Sequence, residues 1–220
     1  MTGETVGHVK VSVGHLAVPF VITPMLPTFR ERHPHIQVEI VVEERLVDLV
    51  GEGYDAGVRL TESIDRDMVQ VRLTDPLRFV IVGTPEYLAR HGTPRKPEDL
   101  LQHECILYRA LTTGAVYAWE LERGRRNWRL PVRGGVVTND LKLAITMAEQ
   151  GLGLAYTFEP SVAEQLRTGK LKTVLEAYTP TVPGFFLCYP SRAQSSPALR
   201  LFVDVAKERL AQRSQPDMQP

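Results

Sequence analysis

The stretch VKVSVGHLAVPFVITPMLPTFRERHPHIQVEIVV, residues 9–42, decides the fold. Val9, Val11 and Val13 alternate with polar residues, the pattern of a strand with one buried face. Gly14 permits a turn, and a helix is expected from about Pro19 to Arg32. Its prolines, Pro19 and Pro24, must lie in the first turns, because a deeper proline breaks the hydrogen-bond ladder. Ile22, Leu26 and Phe29 recur at spacings of four and three and form its apolar stripe. Pro34 closes the unit, and Ile36, Val38, Ile40 and Val42 alternate again as a second strand. A short helix carrying Leu46, Leu49 and Val50 is expected next, stopped by Gly51 and Gly53, before a strand that begins at Ala56 and Val58. Strand, helix, strand, helix, strand predicts a mostly parallel sheet covered by helices.

The remaining chain repeats the alternation. Leu77–Val82 is an apolar run, Thr84-Pro85-Glu86 a helix start, and Pro97–Leu100 a second short helix. Strands are expected at Cys105–Tyr108, Tyr117–Leu121 and Trp128–Val132, with Gly124–Asn127 turning between the last two. A helix capped at Thr138 or Asn139 runs to Gln150 with Leu141, Ile145 and Ala148 inward. Leu154–Phe158 and Phe185–Tyr189 read as strands, Ser161–Thr168 and Pro197–Arg209 as helices. A seam lies between Asp75 and Leu77, with no Gly/Ser linker to separate the two parts.

Bulk properties exclude several classes. The 220 residues are 43% hydrophobic and 24% charged, ordinary soluble usage. Lys plus Arg equals Asp plus Glu, 26 each, whereas a surface built to hold nucleic acid carries a positive excess. Cys105 and Cys188 sit in apolar runs and read as buried free thiols. No run approaches the roughly 18–20 apolar residues of a membrane span, and no secretory signal opens the chain, so a cytoplasmic protein is expected. No HExxH, CxxC, GxxxxGK[ST] or GxSxG motif occurs, and the histidines form no metal set. Neither catalysis nor a cofactor or metal is expected.

Two segments stand where an α/β sheet places ligands, beyond a strand and before a helix. In the first, Val13–Pro19, Ser12 and His15 are the polar side chains, and the amides of the following helix suit an anion. Ser12 capping a turn and His15 facing solvent is the plain alternative. In the second, Thr138 and Asn139 precede a helix, with N-capping by Asn139 or Asp140 as the alternative. Two such helix starts facing each other would make a polar-walled cleft, with Tyr117, Tyr156 and Phe158 as aromatic candidates. Trp119 and Trp128 read as core or hinge-facing side chains, and Arg59, in an apolar strand, reaches a structural carboxylate or a ligand anion.

Five stretches together resemble one family. They are Gly7-His-Val-Lys-Val-Ser12 with Pro24-Met-Leu26 and Phe29; Gly53-Tyr-Asp-Ala-Gly-Val-Arg59; Thr84-Pro-Glu-Tyr-Leu88 with His91-Gly92 and Pro97-Glu-Asp-Leu100; His103-Glu-Cys105; and Gly151-Leu-Gly-Leu-Ala155 with Gly169-Lys-Leu171. Their order and spacing resemble the effector-binding domain of LysR-type transcriptional regulators over Val6–Leu210. The resemblance implies two Rossmann-like lobes of the periplasmic-binding-protein type 2 fold, residues 1–76 with 183–220 and residues 77–182. They would be joined by crossing strands near Leu77–Val82 and Phe185–Tyr189. It also implies a small-molecule effector in the cleft, met by Ser12, His15, Leu16, Thr61, Tyr117, Thr138, Asn139, Tyr156 and Phe158. Homodimers or homotetramers are implied, the helix Phe20–Arg32 and strand Ile36–Val42 meeting the helix Leu141–Gln150 of another copy. DNA would be contacted through the family's amino-terminal winged helix-turn-helix, which has no counterpart in these residues. Members often carry Ser or Thr where this chain has Leu16, so that side chain offers no hydroxyl; Ser12, His15 and Thr61 could compensate. The rival readings are a free-standing solute-binding protein, an enzyme of the prephenate dehydratase or porphobilinogen deaminase type, and a ligand-independent dimerisation module.

Overall fold

In a computed structural model, the described residues are 6–45, 47–60, 68–111, 113–191 and 196–213. The chain begins with β1 (Gly7–Val13), α1 (Thr23–Arg32), β2 (Ile36–Val42), β3 (Ala56–Leu60) and β4 (Met68–Arg72). It continues through β5 (Leu77–Gly83), α2 (Pro85–His91), β6 (Ile106–Tyr108), β7 (Trp119–Arg123) and β8 (Arg126–Leu130). Next come β9 (Val136–Thr138), α3 (Leu141–Glu149), β10 (Ala155–Phe158), α4 (Ala163–Arg167), β11 (Lys172–Val174) and β12 (Thr181–Val182). It ends with β13 (Phe185–Pro190) and α5 (Pro197–Arg213). Two compact units result: residues 1–75 with 183–220, and residues 76–182. The apolar runs read as crossing strands belong one to each unit, β5 to the second and β13 to the first.

The first unit holds a five-stranded sheet in the order β2-β1-β3-β13-β4. β1 runs parallel to β2 from the Gly7–Ile36 pair to Val13–Val42, and parallel to β3. β13 returns antiparallel between β3 and β4. β1 is flanked on both edges, and its carboxyl end is covered on both faces as well: Val11, Ser12 and Val13 are all fully buried. Phe29 of α1 meets Phe202 of α5 edge to face, with centroids 5.4 Å apart.

Two local expectations change here. Val18–Ile22 forms a π-helical turn, closed by the Thr23 N–H on the Val18 carbonyl, and runs into α1. Proline, which has no N–H to donate, occupies the opening of both segments and, as Pro27, the interior of α1. The buried stripe is Ile22, Met25 and Phe29, with Leu26 only half-buried; spacings of three and four fit a helix as well as four and three. The expected helix around Leu49 and Val50 is a set of turns instead, and Leu46 lies outside the described residues. Asp48 draws the Gly51 N–H to its side chain at 3.0 Å and Gly53 adopts φ +72°, so the chain curls rather than winding on.

In the second unit β5 is the central strand, antiparallel to β10, β11 and β12. β6 and β9 pair in parallel, and β7 and β8 form a hairpin whose two-residue turn opens with Gly124 at φ +61°. Ile145, Ala144 and Ala148 of α3 pack with Val80, Val82 and Ala155. Trp119, Tyr87, Leu100 and Leu154 build a second cluster around Ile81. Both cysteines are buried, and neither forms a disulfide among the described residues. Among the described residues no helix is long and apolar enough to cross a membrane.

Candidate functional site

In the first unit the carboxyl ends of β1, β2 and β3 converge on a polar network. Ser12 faces away from the valine stripe into a region sealed by the flanking strands, so its hydroxyl must find partners inside the protein. It finds two. Its Oγ donates to Glu43 Oε1 at 3.2 Å and accepts from Arg59 Nη2 at 2.6 Å. Arg59 Nη1 also donates to the Ser12 carbonyl at 3.1 Å and the Val58 carbonyl at 2.8 Å. Arg59 therefore straps β3 to β1, and burial lowers its pKa from the usual arginine value. Asp55, its near neighbour in sequence, is used elsewhere: it accepts the Lys10 N–H at 2.8 Å.

Glu43 is the hub of this network. Besides Ser12 it accepts from the Tyr54 hydroxyl at 2.7 Å and pairs with Arg45 Nε at 2.8 Å. The hydrogen bond to Glu43 pushes the Tyr54 hydroxyl up to about 12. Arg45 forks onto Glu52 as well, which raises the arginine pKa and lowers that of Glu52. Next to the hub, Glu44 reaches the loop after β1. Its Oε1 accepts the His15 backbone N–H at 2.6 Å and lies 3.0 Å from His15 Nδ1. Leu16 follows, half-buried. Thr61 lies outside the described residues.

The corresponding segment of the second unit is closed locally. Asp140, rather than Thr138 or Asn139, caps α3, its Oδ1 accepting the N–H groups of Lys142 at 2.8 Å and Leu143 at 3.2 Å. The buried Thr138 hydroxyl accepts the Asp140 N–H at 3.0 Å, while Asn139 is exposed.

Of the three aromatic candidates, Tyr117 neighbours this segment, its N–H bonding the carbonyl of Tyr108, which pairs with Thr138. Tyr156 is buried, stacked on Phe79 at 4.5 Å and near Trp119 at 5.4 Å, and its hydroxyl donates to the Glu120 carbonyl at 2.8 Å. Burial raises its pKa far above the ordinary tyrosine value. Phe158 is buried against the other side of that pile, 4.3 Å from Phe79. Tyr156 and Phe158 are thus core side chains. Tyr117 is half-buried and donates to Glu120 Oε2 at 2.9 Å. Trp119 is core as the sequence implies, whereas Trp128 is only half-buried, its Nε1 donating to Glu98 at 2.9 Å. Glu43 and Glu44 have no signal in the sequence, since Ser12 and His15 reach them from 31 and 29 residues away, and Arg45, paired with nearby Glu43 and Glu52, is not singled out there. No group of three metal-ligating side chains occurs among the described residues.

The family profile described as the LysR substrate binding domain matches residues 2–211. An uncharacterized HTH-type transcriptional regulator of Escherichia coli, YcaN, is 34% identical over 91% of this chain and 65% of its own length. The HTH-type transcriptional regulator PgrR of Escherichia coli is also 34% identical, over 91% of this chain and 67% of its own length. The chain thus spans about two-thirds of the length of the curated relatives it matches. The regulatory domain of CrgA, a LysR-type transcriptional regulator from Neisseria meningitidis, superposes with a TM-score of 0.78. It is 26% identical and covers 94% of this chain and 100% of its own. Full-length AphB of Vibrio cholerae, at 21% identity, shares the fold with a TM-score of 0.80 over 94% of this chain and 69% of its own. The two-lobed α/β architecture is the one that matches these regulators, and the chain belongs to the LysR substrate-binding domain family.

Proposed function

We propose that this domain senses a small-molecule effector for a DNA-binding transcriptional regulator, and that the regulator is a cytoplasmic homodimer or homotetramer. The observation that carries the ligand assignment is the loop after β1, where backbone and ring N–H groups of His15 converge on a carboxylate. His15 and the loop backbone are the proposed contacts on the first unit, with Leu16 beside them. Ser12 supports them through Arg59 and Glu43 instead of touching the ligand, since its hydroxyl is buried and doubly bonded. On the second unit, taken by itself, the exposed Asn139 next to Thr138 is the proposed contact. The effector acts by binding one arrangement of the domain more tightly than another, and the helix-turn-helix part of the regulator reads the change.

Thermal unfolding in the presence of a panel of small organic acids tests this reading. A ligand present at 100 times its Kd stabilises the folded state by about 2.7 kcal/mol, a clear rise in Tm. At least one compound should give a saturable rise that His15→Ala weakens. If no compound moves Tm, the ligand-independent dimerisation reading replaces the sensing one.

A further inference from the structure

Of the acidic side chains around the first unit's sheet end, Glu44 alone is placed to trade its partner. Glu43 is fixed by Ser12, Tyr54 and Arg45, and Glu52 by the fork of Arg45. Among the described residues Glu44 has its hydrogen bonds only with His15, through one carboxylate oxygen, and otherwise acts on Arg59 through its charge. Its side chain is 22% exposed and that of His15 is 55% exposed, so solvent and solutes reach the pair. Gly14 adds to the opening: a methyl at its Cβ position would stand 3.8 Å from both Glu44 oxygens, and glycine leaves that space clear. The backbone beneath does not depend on the pair, because the Glu43 N–H bonds the Val13 carbonyl at 2.9 Å.

We propose that Glu44 is a built-in competitor for the effector, a carboxylate of the chain's own that occupies the His15 N–H and is exchanged when an anionic ligand binds. This rests on the sensing role proposed for the same loop. Exchange of one carboxylate for another conserves the hydrogen bonds to His15, so it costs little beyond repulsion between incoming ligand and displaced side chain. The loop is then available only in the fraction of molecules whose Glu44 has swung away, which weakens apparent anion affinity by that fraction. It also gives binding a mechanical consequence. Release of Glu44 removes the side-chain tie between the β1 loop and the tail of β2, while the Glu43–Val13 backbone bond and the Ser12–Arg59 strap stay in place.

The test follows the His15 amide by nitrogen-15 NMR while sodium acetate is titrated against sodium chloride at matched ionic strength. In the wild type the amide should respond with a midpoint about tenfold higher than in Glu44→Ala, with Glu44→Gln between them. Equal midpoints, or no saturable movement of this amide in either variant, would overturn the proposal. So would a site that loses response to methylammonium in Glu44→Ala, because Glu44 would then be a ligand group for cations. Acetate reports on the loop whatever the natural effector is, so failure of the compound panel and failure of this exchange are separate results.

Discussion

Both segments that a sheet of this type offers to a ligand are closed by a carboxylate of the chain itself, but from different distances. At the start of α3 the carboxylate is Asp140, which caps amides two and three residues ahead of it. At the loop after β1 it is Glu44, from 29 residues further along the chain. A local cap is part of the helix it begins, and removing it costs helix stability. A carboxylate delivered from another strand is held by the tertiary structure and can leave without unwinding anything. The first is architecture; the second has the properties of a switch.

Substitutions can break or sharpen that contrast. The largest effect is expected where neither carboxylate is involved. Ile145→Ala removes the side chain that seats α3 on Val80 and Ala155 and should cost about 2–5 kcal/mol in denaturant unfolding. A cost near that of the cap alone would mean that α3 is held chiefly by Asp140. Next comes Ser12→Ala, which leaves Arg59 and Glu43 without a shared partner in a sealed region, expected at about 1–3 kcal/mol. Loss of the cap in Asp140→Ala should cost about 1 kcal/mol and leave acetate binding at His15 unchanged. Smallest is Glu44→Ala, within about 0.5 kcal/mol of wild type, as for an exposed pair. A destabilisation by Glu44→Ala as large as that by Asp140→Ala would erase the distinction.

The same difference of distance explains what the sequence discloses. The alternation of Val9, Val11 and Val13, and of Ile36, Val38 and Ile40, announces β1 and β2 because the signal lies within each strand. β4 escapes such a reading. It is a five-residue edge strand with one buried residue, Val71, so its alternation carries little burial contrast. Ser12 and His15 are visible as polar residues at a strand end, yet the groups that decide their roles are Arg59 of β3 and Glu43 and Glu44 in the tail after β2. Tyr156 and Phe158 mislead for a related reason. An aromatic stacked in the core and an aromatic lining a ligand site have the same residue type, and only the contact with Phe79 separates them. The cap at α3 is legible only as a choice, since Asn139 and Asp140 are both good capping residues, and Asp140 is the one that takes it.

The most direct test of the sensing claim is hydrogen–deuterium exchange of the domain with and without a compound that raises its Tm. The account predicts slowed exchange within residues 14–18, where a bound ligand covers the loop, while the His15 amide keeps a carboxylate partner in both states. Protection confined to other segments, with the amides of this loop exchanging as in the free protein, would contradict it.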